Sequence, residues 1–342
     1  MLFRSAREAD RGSIARLWSE CFPGDEKFCG LFLERIFSGE NTVLAEEDGE
    51  AVSMTHFILQ ELDYLGQRVP CGYIFGVGTA ASFRGRGIAG GCMRETLRLL
   101  RSRGAVLALV VPASGSLFDY YARFDFSPEF FIAKKKIFRK DFPTGGAVCG
   151  AGLGREHIPS MDRLLQDTQK FRIHLNRSPE HWENAVCTAE LFGGGILTLA
   201  EGKELKGYGI YEFCGGELTV NELFAEDEAS YNSLMAAVMD KCGVPEGNHS
   251  SPACPRDAER YGMVRVLDAR RFLEAAAELR QTMDCEFALS DEILPQNSRR
   301  YSVKGARVEE KEAAAAAYIT MGQLAKVLFG AGQPPYMNLL FS

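Results

Sequence analysis

Apolar residues recur along this chain at two spacings, and each change of spacing marks a new element. Leu2 to Arg4 reads as a short strand. Asp10 is placed to cap a helix over residues 10–21, with Ile14, Leu17, Trp18 and Cys21 on one face. Phe22-Pro23-Gly24-Asp25 breaks it, and a second helix over residues 26–37 carries Phe28, Phe32, Leu33 and Ile36. A strand over residues 42–46 then turns at Asp48-Gly49, a hairpin signal, into a return strand over residues 51–62. Leu65-Gly66-Gln67 turns again into a strand that ends at Thr79.

The pattern is sharpest over residues 73–126. Tyr73-Ile74-Phe75-Gly76-Val77-Gly78-Thr79 is a strand, and the glycine-rich turn from Phe83 to Gly91 follows. A helix runs on to about Arg103, its stripe made by Cys92, Met93, Thr96, Leu97, Leu99 and Leu100. Residues 105–111 are continuously apolar, as expected of a strand covered on both faces. A short helix then carries Tyr120 and Tyr121.

Beyond Phe138 the residues from Pro143 to Gly150 read as a linker. Helices are expected over residues 158–171 and from about Arg177. The earlier order then partly repeats, with strands over 196–201, 207–213 and 217–224 around a Gly202-Lys203 turn, and a helix over 227–241. The turn before that helix is Ala225-Glu226-Asp227-Glu228, with no glycine and three carboxylates, so it is unsuited to an anion. A third segment opens with a strand over 264–268 and a helix over 269–281, and strands follow over 285–290 and 301–303. The alanine run favours helix by propensity, and the chain ends in an apolar tail, Pro334 to Ser342, fit for burial.

With 342 residues there is length for two or three domains, and 46% hydrophobic and 25% charged residues are ordinary for a globular protein. No apolar run reaches a membrane span, and the first residues lack the core of a signal peptide, so a cytoplasmic location is expected. The ten cysteines are scattered without a Cys-x-x-Cys pair and read as small buried hydrophobes. Cys242, His249 and Cys254 lie irregularly in a segment read as a polar loop, and no metal site is expected. A net charge of −7 disfavours nucleic acid as the partner and suits a cationic substrate.

The chemistry begins at the glycine turn. Helix-start amides have no partner within the helix, the dipole favours negative charge, and glycines let a ligand approach the backbone. Arg84 and Arg86 add positive charge, so the turn reads as a pyrophosphate cradle. A Gly-x-Gly-x-x-Gly with a following acidic residue, and a Gly-Lys-Ser/Thr loop, are both absent, which sets aside dinucleotide and Walker sites. A capping loop without a ligand is the plain alternative.

Arg84-x-x-Gly87-x-Ala89 resembles the cofactor signature of the GNAT N-acetyltransferases. Leu117-Phe118-Asp119-Tyr120-Tyr121-Ala122-Arg123-Phe124-Asp125-Phe126 resembles their tyrosine-bearing helix and closing strand, with Asp125 where the family usually has glycine. Together with Val264-Arg265-Val266-Leu267-Asp268 and Gln323-Leu324-x-x-Val327-Leu328-Phe329-Gly330, the whole chain resembles the Eis (enhanced intracellular survival) type. That resemblance implies an α+β protein of tandem GNAT folds, the second degenerate, and a sterol-carrier-protein-2-like C-terminal domain. The expected domains are residues 1–140, 141–261 and 262–342. The resemblance also places residues 314–320 in a strand and 321–329 in a helix.

By the same resemblance the activity is acetyl-CoA-dependent transfer of an acetyl group to a primary amine: an aminoglycoside-like drug, a polyamine or a lysine. Coenzyme A would be held by Val77, Gly78 and Thr79 along the pantetheine arm, by Arg84, Gly85, Arg86, Gly87, Ile88, Ala89 and Gly90 at the pyrophosphate, and by Ser116 and Leu117 near the thioester. Tyr121 matches the family's tyrosine acid, and the C-terminal carboxylate, here that of Ser342, its base. The residues alone leave open Tyr121 as a core tyrosine and Ser342 as an exposed terminus. His56 reads better as a partly buried, satisfied histidine than as an active-site group. The family is often homo-oligomeric, commonly hexameric. An acyl-CoA- or lipid-binding regulatory protein without turnover is the alternative function.

Overall fold

The structure is a computed structural model that describes residues 1–143, 154–202, 204–311, 318–330 and 332–338. The chain forms two compact units, residues 1–130 with 261–332, and residues 131–260 with 333–342. In chain order the elements begin with β1 (Leu2–Ser5), α1 (Arg11–Cys21), α2 (Glu26–Arg35), β2 (Thr42–Glu47), β3 (Glu50–Tyr64) and β4 (Gln67–Thr79). There follow α3 (Ile88–Ser102), β5 (Leu107–Val110), α4 (Gly115–Ala122), β6 (Ser127–Phe138), α5 (Ile158–Gln169), β7 (His174–Asn176) and α6 (Pro179–Leu191). Next come β8 (Gly195–Glu201), β9 (Glu204–Cys214), β10 (Glu217–Ala225), α7 (Glu228–Cys242), β11 (Glu246–Pro252) and β12 (Glu259–Val266). The last are α8 (Ala269–Leu279), β13 (Asp284–Ser290), β14 (Arg300–Lys304), β15 (Arg307–Lys311), β16 (Tyr318–Thr320) and α9 (Met321–Phe329).

In the first unit the main sheet has the order β1-β2-β3-β4-β5-β12. Its pairings are antiparallel except β4 with β5, and α3 is the crossover a parallel pair needs. Met93, Leu97 and Leu100 of α3 are buried against Phe57, Ile74, Ala108 and Val110 of the sheet. The Asp48-Gly49 turn has φ of 51° and 82°, the left-handed pair that a tight hairpin requires. A smaller sheet, β15-β14-β13-β16, packs with α8, and the Tyr64 hydroxyl donates to the Leu328 carbonyl at 2.6 Å.

The second unit has the order β6-β11-β10-β9-β8, with β10 and β11 parallel across α7. The series β8-β9-β10-α7-β11 thus repeats β2-β3-β4-α3-β5, the tandem arrangement expected from the sequence. The two crossover helices start differently. Gly87 precedes α3 at φ 76° without a side-chain cap, whereas Asp227 caps α7 by accepting from the Ser230 amide at 2.7 Å. A carboxylate already occupies the position where the second unit could have met an anion.

The centre of this unit is charged. Glu222, wholly buried, takes both ends of the Arg177 guanidinium at 2.7 and 2.8 Å and the hydroxyls of Tyr208 and Tyr336 at 2.8 Å each. Arg177 also donates to the Asn338 carbonyl at 2.8 Å. Four contacts on one carboxylate compensate the loss of water that a lone buried charge could not survive.

Several expectations change. Residues 246–252, read as polar loop, are strand β11, and His249 there turns Nδ1 to the Val220 carbonyl at 3.0 Å. Asp10 does not cap α1 with its side chain; its carboxylate takes the Arg7 amide and the Arg4 guanidinium instead. Of the cysteines, Cys29, Cys71 and Cys92 are buried but Cys214 and Cys254 are exposed. Helix α9 and the burial of Tyr336 and Met337 follow the sequence reading. Residues 144–150 of the expected linker, Lys203, residues 314–317 of the alanine run and residues 339–342 lie outside the described residues. No helix among the described residues is long and apolar enough to cross a membrane.

Candidate active site

The site grows from a strand that outruns its neighbour. β5 pairs with β4 from Cys71 to Ile74 and then ends at Val110, while β4 continues to Thr79. Past Ile74 that edge of β4 has no partner in β5. On its other edge β4 pairs with β3, and the register slips where Met54 opposes Gly78 but His56 opposes Phe75. The extra residue makes a bulge, with Gly76 at φ 57°. Bulges of this kind twist a strand and re-aim its backbone groups. A Cβ on Gly76 would lie 2.6 Å from the His56 ring and 3.1 Å from Trp18, so only glycine fits. The residue pattern from Tyr73 to Thr79 predicts a strand here without signalling the bulge.

Val77 and Thr79 are half-buried on the free segment, and Gly78 is buried. The Ser53 hydroxyl braces it, 2.8 Å from both the Gly78 carbonyl and the Thr79 hydroxyl. The chain then makes a short 3₁₀ turn, Ala81–Phe83, and enters the glycine loop. Gly85 and Gly87 both hold positive φ, 79° and 76°, with open space where a Cβ would point. From Arg84 to Gly87 the loop is exposed, while Ile88 is anchored in a cluster with Val43, Ala45, Val52 and Cys92. The first-turn amides of α3, at Ile88, Ala89 and Gly90, have no partner within the helix. The arginines are restrained: Arg84 donates to the Thr79 carbonyl at 3.0 Å, and Arg86 lies 3.7 Å from Glu47 and over the Phe83 ring.

The loop therefore suits an anionic group: left-handed Gly85 and Gly87, with open space where a Cβ would point, precede helix-start amides that have no partner within the helix.

Helix α4 supplies the tyrosines. Ser116 is exposed near its start and Leu117 half-buried. Tyr121 is buried in one apolar cluster with Ile74, Met93 and Phe126, against which Val77, Leu117 and Tyr120 also pack. The structure thus brings Tyr121, Val77 and Leu117 into one neighbourhood. Burial pushes the Tyr121 phenol upward, so it keeps its proton throughout the physiological range. Tyr120 packs on Phe124, and its buried hydroxyl has no hydrogen-bond partner among the described residues. Ser342 lies outside the described residues.

Behind the bulge His56 is wholly buried between Trp18, Phe32 and Phe75. Nδ1 meets the Thr42 hydroxyl at 2.8 Å, and Nε2 has no partner among the described residues. Burial lowers its pKa to about 3. It is a neutral core residue, more buried and less satisfied than the sequence suggests.

After α4 the backbone turns through Asp125 at φ 60°, a left-handed residue standing where the resembled family has glycine. Asp125 lies 3.5 Å from Arg265, a wholly buried guanidinium that donates to the Phe124 carbonyl and, at 2.6 Å, to Asp291. Nothing in the sequence marks Arg265 as inward-facing.

Residues 3–128 match the acetyltransferase (GNAT) domain family, and residues 263–340 match the sterol carrier protein domain family. The chain carries a GNAT acetyltransferase domain. With that domain it is an enzyme, an acetyltransferase, and the pairing with a sterol carrier protein domain is the combination expected of the Eis type. Among curated proteins none matches the sequence. Solved structures share the GNAT acetyltransferase's fold. Eis1 from Mycobacterium abscessus superposes with TM-score 0.71 at 16% identity, over 97% of this chain and 90% of that one. A GCN5-related N-acetyltransferase from Kribbella flavida gives 0.73 at 18%, over 98% and 97%. A probable N-acyltransferase from Enterococcus faecalis V583 gives 0.75 at 15%, over 95% and 88%.

Proposed function

We propose that this acetyltransferase uses acetyl-CoA and passes the acetyl group directly to a primary amine on a polyamine, an aminoglycoside-like molecule or a lysine. The observation that carries the reading is the edge of β4 that β5 leaves unpaired beyond Ile74, followed through the short turn Ala81–Phe83 by the glycine loop at the start of α3. Backbone groups of Val77, Gly78 and Thr79 would hold the pantetheine amides. The loop from Arg84 to Gly90 would hold the diphosphate through its amides, and Ser116 and Leu117 would flank the thioester end.

Acetyl-CoA supplies an acyl group already activated as a thioester. The amine must arrive with a free lone pair, and a donor is needed where negative charge grows on the carbonyl oxygen. A backbone N–H on the Val77 edge suits that role. As the carbon–sulfur bond breaks, the Tyr121 O–H faces the growing thiolate charge. Burial keeps the phenol protonated, so it donates a hydrogen bond to the departing sulfur; a proton that passes to the sulfur is regained by the phenol from solvent. The amine's lost proton is assigned, by the resemblance to the Eis type, to the carboxylate of Ser342. The net charge of −7 suits a cationic acceptor. A homo-oligomer is part of the same proposal and is read by light scattering.

Thiol release from acetyl-CoA, with spermidine, kanamycin and a lysine peptide as acceptors, tests the proposal in wild type and Tyr121→Phe. Transfer by wild type that falls about tenfold or more in the variant is expected for a lost acid group. Equal background release from both, with acetyl-CoA still bound in calorimetry, would identify a binding protein instead.

A further inference from the structure

We propose that Arg265, contributed by the sterol carrier protein domain, is a positioning residue for Tyr121. The inference rests on the reading of Tyr121 as the hydrogen-bond donor to the leaving sulfur. It adds what holds that donor in place.

The geometry is continuous. Tyr121 is in the last turn of α4, and its carbonyl accepts from the Phe124 amide at 2.9 Å. Three residues on, the Phe124 carbonyl accepts from Arg265. Carbonyls at a helix end have no partner within the helix, so a buried cation there satisfies the backbone and complements the dipole. The neighbouring Asp125 sits in left-handed backbone, a conformation that disfavours side chains other than glycine, asparagine and aspartate. Its carboxylate lies 3.5 Å from the same guanidinium, an attraction that favours the turn in this chain without glycine.

Arg265 is itself fixed. Asp291, also wholly buried, takes it at 2.6 Å and is held by the amides of Ile293 at 3.0 Å and Leu294 at 2.9 Å and by the Asn297 side chain at 2.9 Å. A planar fork can reach the Phe124 carbonyl and Asp291 together, and a lysine ammonium cannot match both directions. The end of α4 is therefore referenced to a rigid buried anion in the neighbouring domain. Displacing the phenol by about an ångström is enough to slow a transfer step by orders of magnitude.

The test uses the full-length enzyme with acetyl-CoA and the fastest amine of the panel. Arg265→Lys keeps the charge, and Arg265→Met with Asp291→Asn removes the ion pair while keeping an acceptor for the Ile293 and Leu294 amides. The expected result in a folded variant is a kcat lowered about tenfold or more, with coenzyme A affinity within about twofold of wild type. Added to Tyr121→Phe, the same changes should cost little further rate. Hydrogen exchange at the Phe124 and Phe126 amides should quicken without ligand present. An unchanged kcat, an equally large loss on the Tyr121→Phe background, or weakened coenzyme A binding would overturn the proposal while leaving the phenol reading intact. If Tyr121→Phe alone is fully active, or every acceptor gives background rates, that reading fails and this inference with it.

Discussion

Lowering the pH should destabilise the first unit through His56. In the unfolded chain this histidine titrates near ~6.5, and in the fold its pKa is about 3. The folded state therefore favours the neutral ring, so stability is fully present above the unfolded value and drains away as pH falls through the window between the two. The cause is burial among Trp18, Phe32 and Phe75, and among the described residues no carboxylate is hydrogen-bonded to the ring. The full difference corresponds to roughly 5 kcal/mol at the lower end of the window, and between about pH 8 and about pH 5 the loss should be roughly 2 kcal/mol. Trp18 stacks on the ring at 5.4 Å and reports on this unit; the other tryptophan, Trp182, lies in the second unit. Urea unfolding followed by fluorescence, in a Trp182→Phe background with and without His56→Gln, isolates the effect because shared costs cancel. The two proteins should diverge by roughly 2 kcal/mol at about pH 5 after matching at about pH 8. Parallel pH dependences would show that the ring accepts a proton inside the fold, and the burial argument would be wrong.

Four other substitutions test the packing and capping. Glu222→Gln should cost about 3–5 kcal/mol in urea denaturation of the second unit, because it leaves the buried Arg177 without its counter-charge, and a loss below about 1 kcal/mol would contradict that. Gly194→Ala would set a Cβ 1.8 Å from the Tyr211 carbonyl oxygen and should destabilise by about 2–3 kcal/mol, whereas Gly215→Ala, with open space at φ 62°, should cost only about 1 kcal/mol. Equal melting temperatures for the two glycine variants would refute the distinction. Thr320→Ala removes the acceptor that caps the Gln323 amide at 3.2 Å and should lower stability by about 1 kcal/mol in thermal unfolding.

What the sequence revealed was what apolar spacing and special backbone encode. Helix α3 has a 3.6-residue stripe, β5 a continuous apolar run, and the glycine loop its missing Cβ atoms. β11 stayed hidden because its inward residues are Gly247 and His249, which carry no hydrophobic signal; the strand exists because β10 and β6 pair with it. Nothing in the strand expected over residues 264–268 marks Arg265 as inward, and the buried Asp291 beside it is what makes an inward guanidinium tolerable. The bulge at Gly76 likewise depends on β3 and on Trp18 behind it. The sequence could mark a pair of tyrosines, but their different surroundings come from the packing of α4.

The partition of the chain has a kinetic consequence. Each unit is assembled from two stretches with part of the other unit between them. The buried carboxylate at Glu222 acquires one of its phenols only when Tyr336 arrives, more than a hundred positions later. During synthesis a nearly complete second unit must wait with an under-satisfied anion at its heart, and its slowest folding step should be the docking of that late segment rather than the pairing of strands.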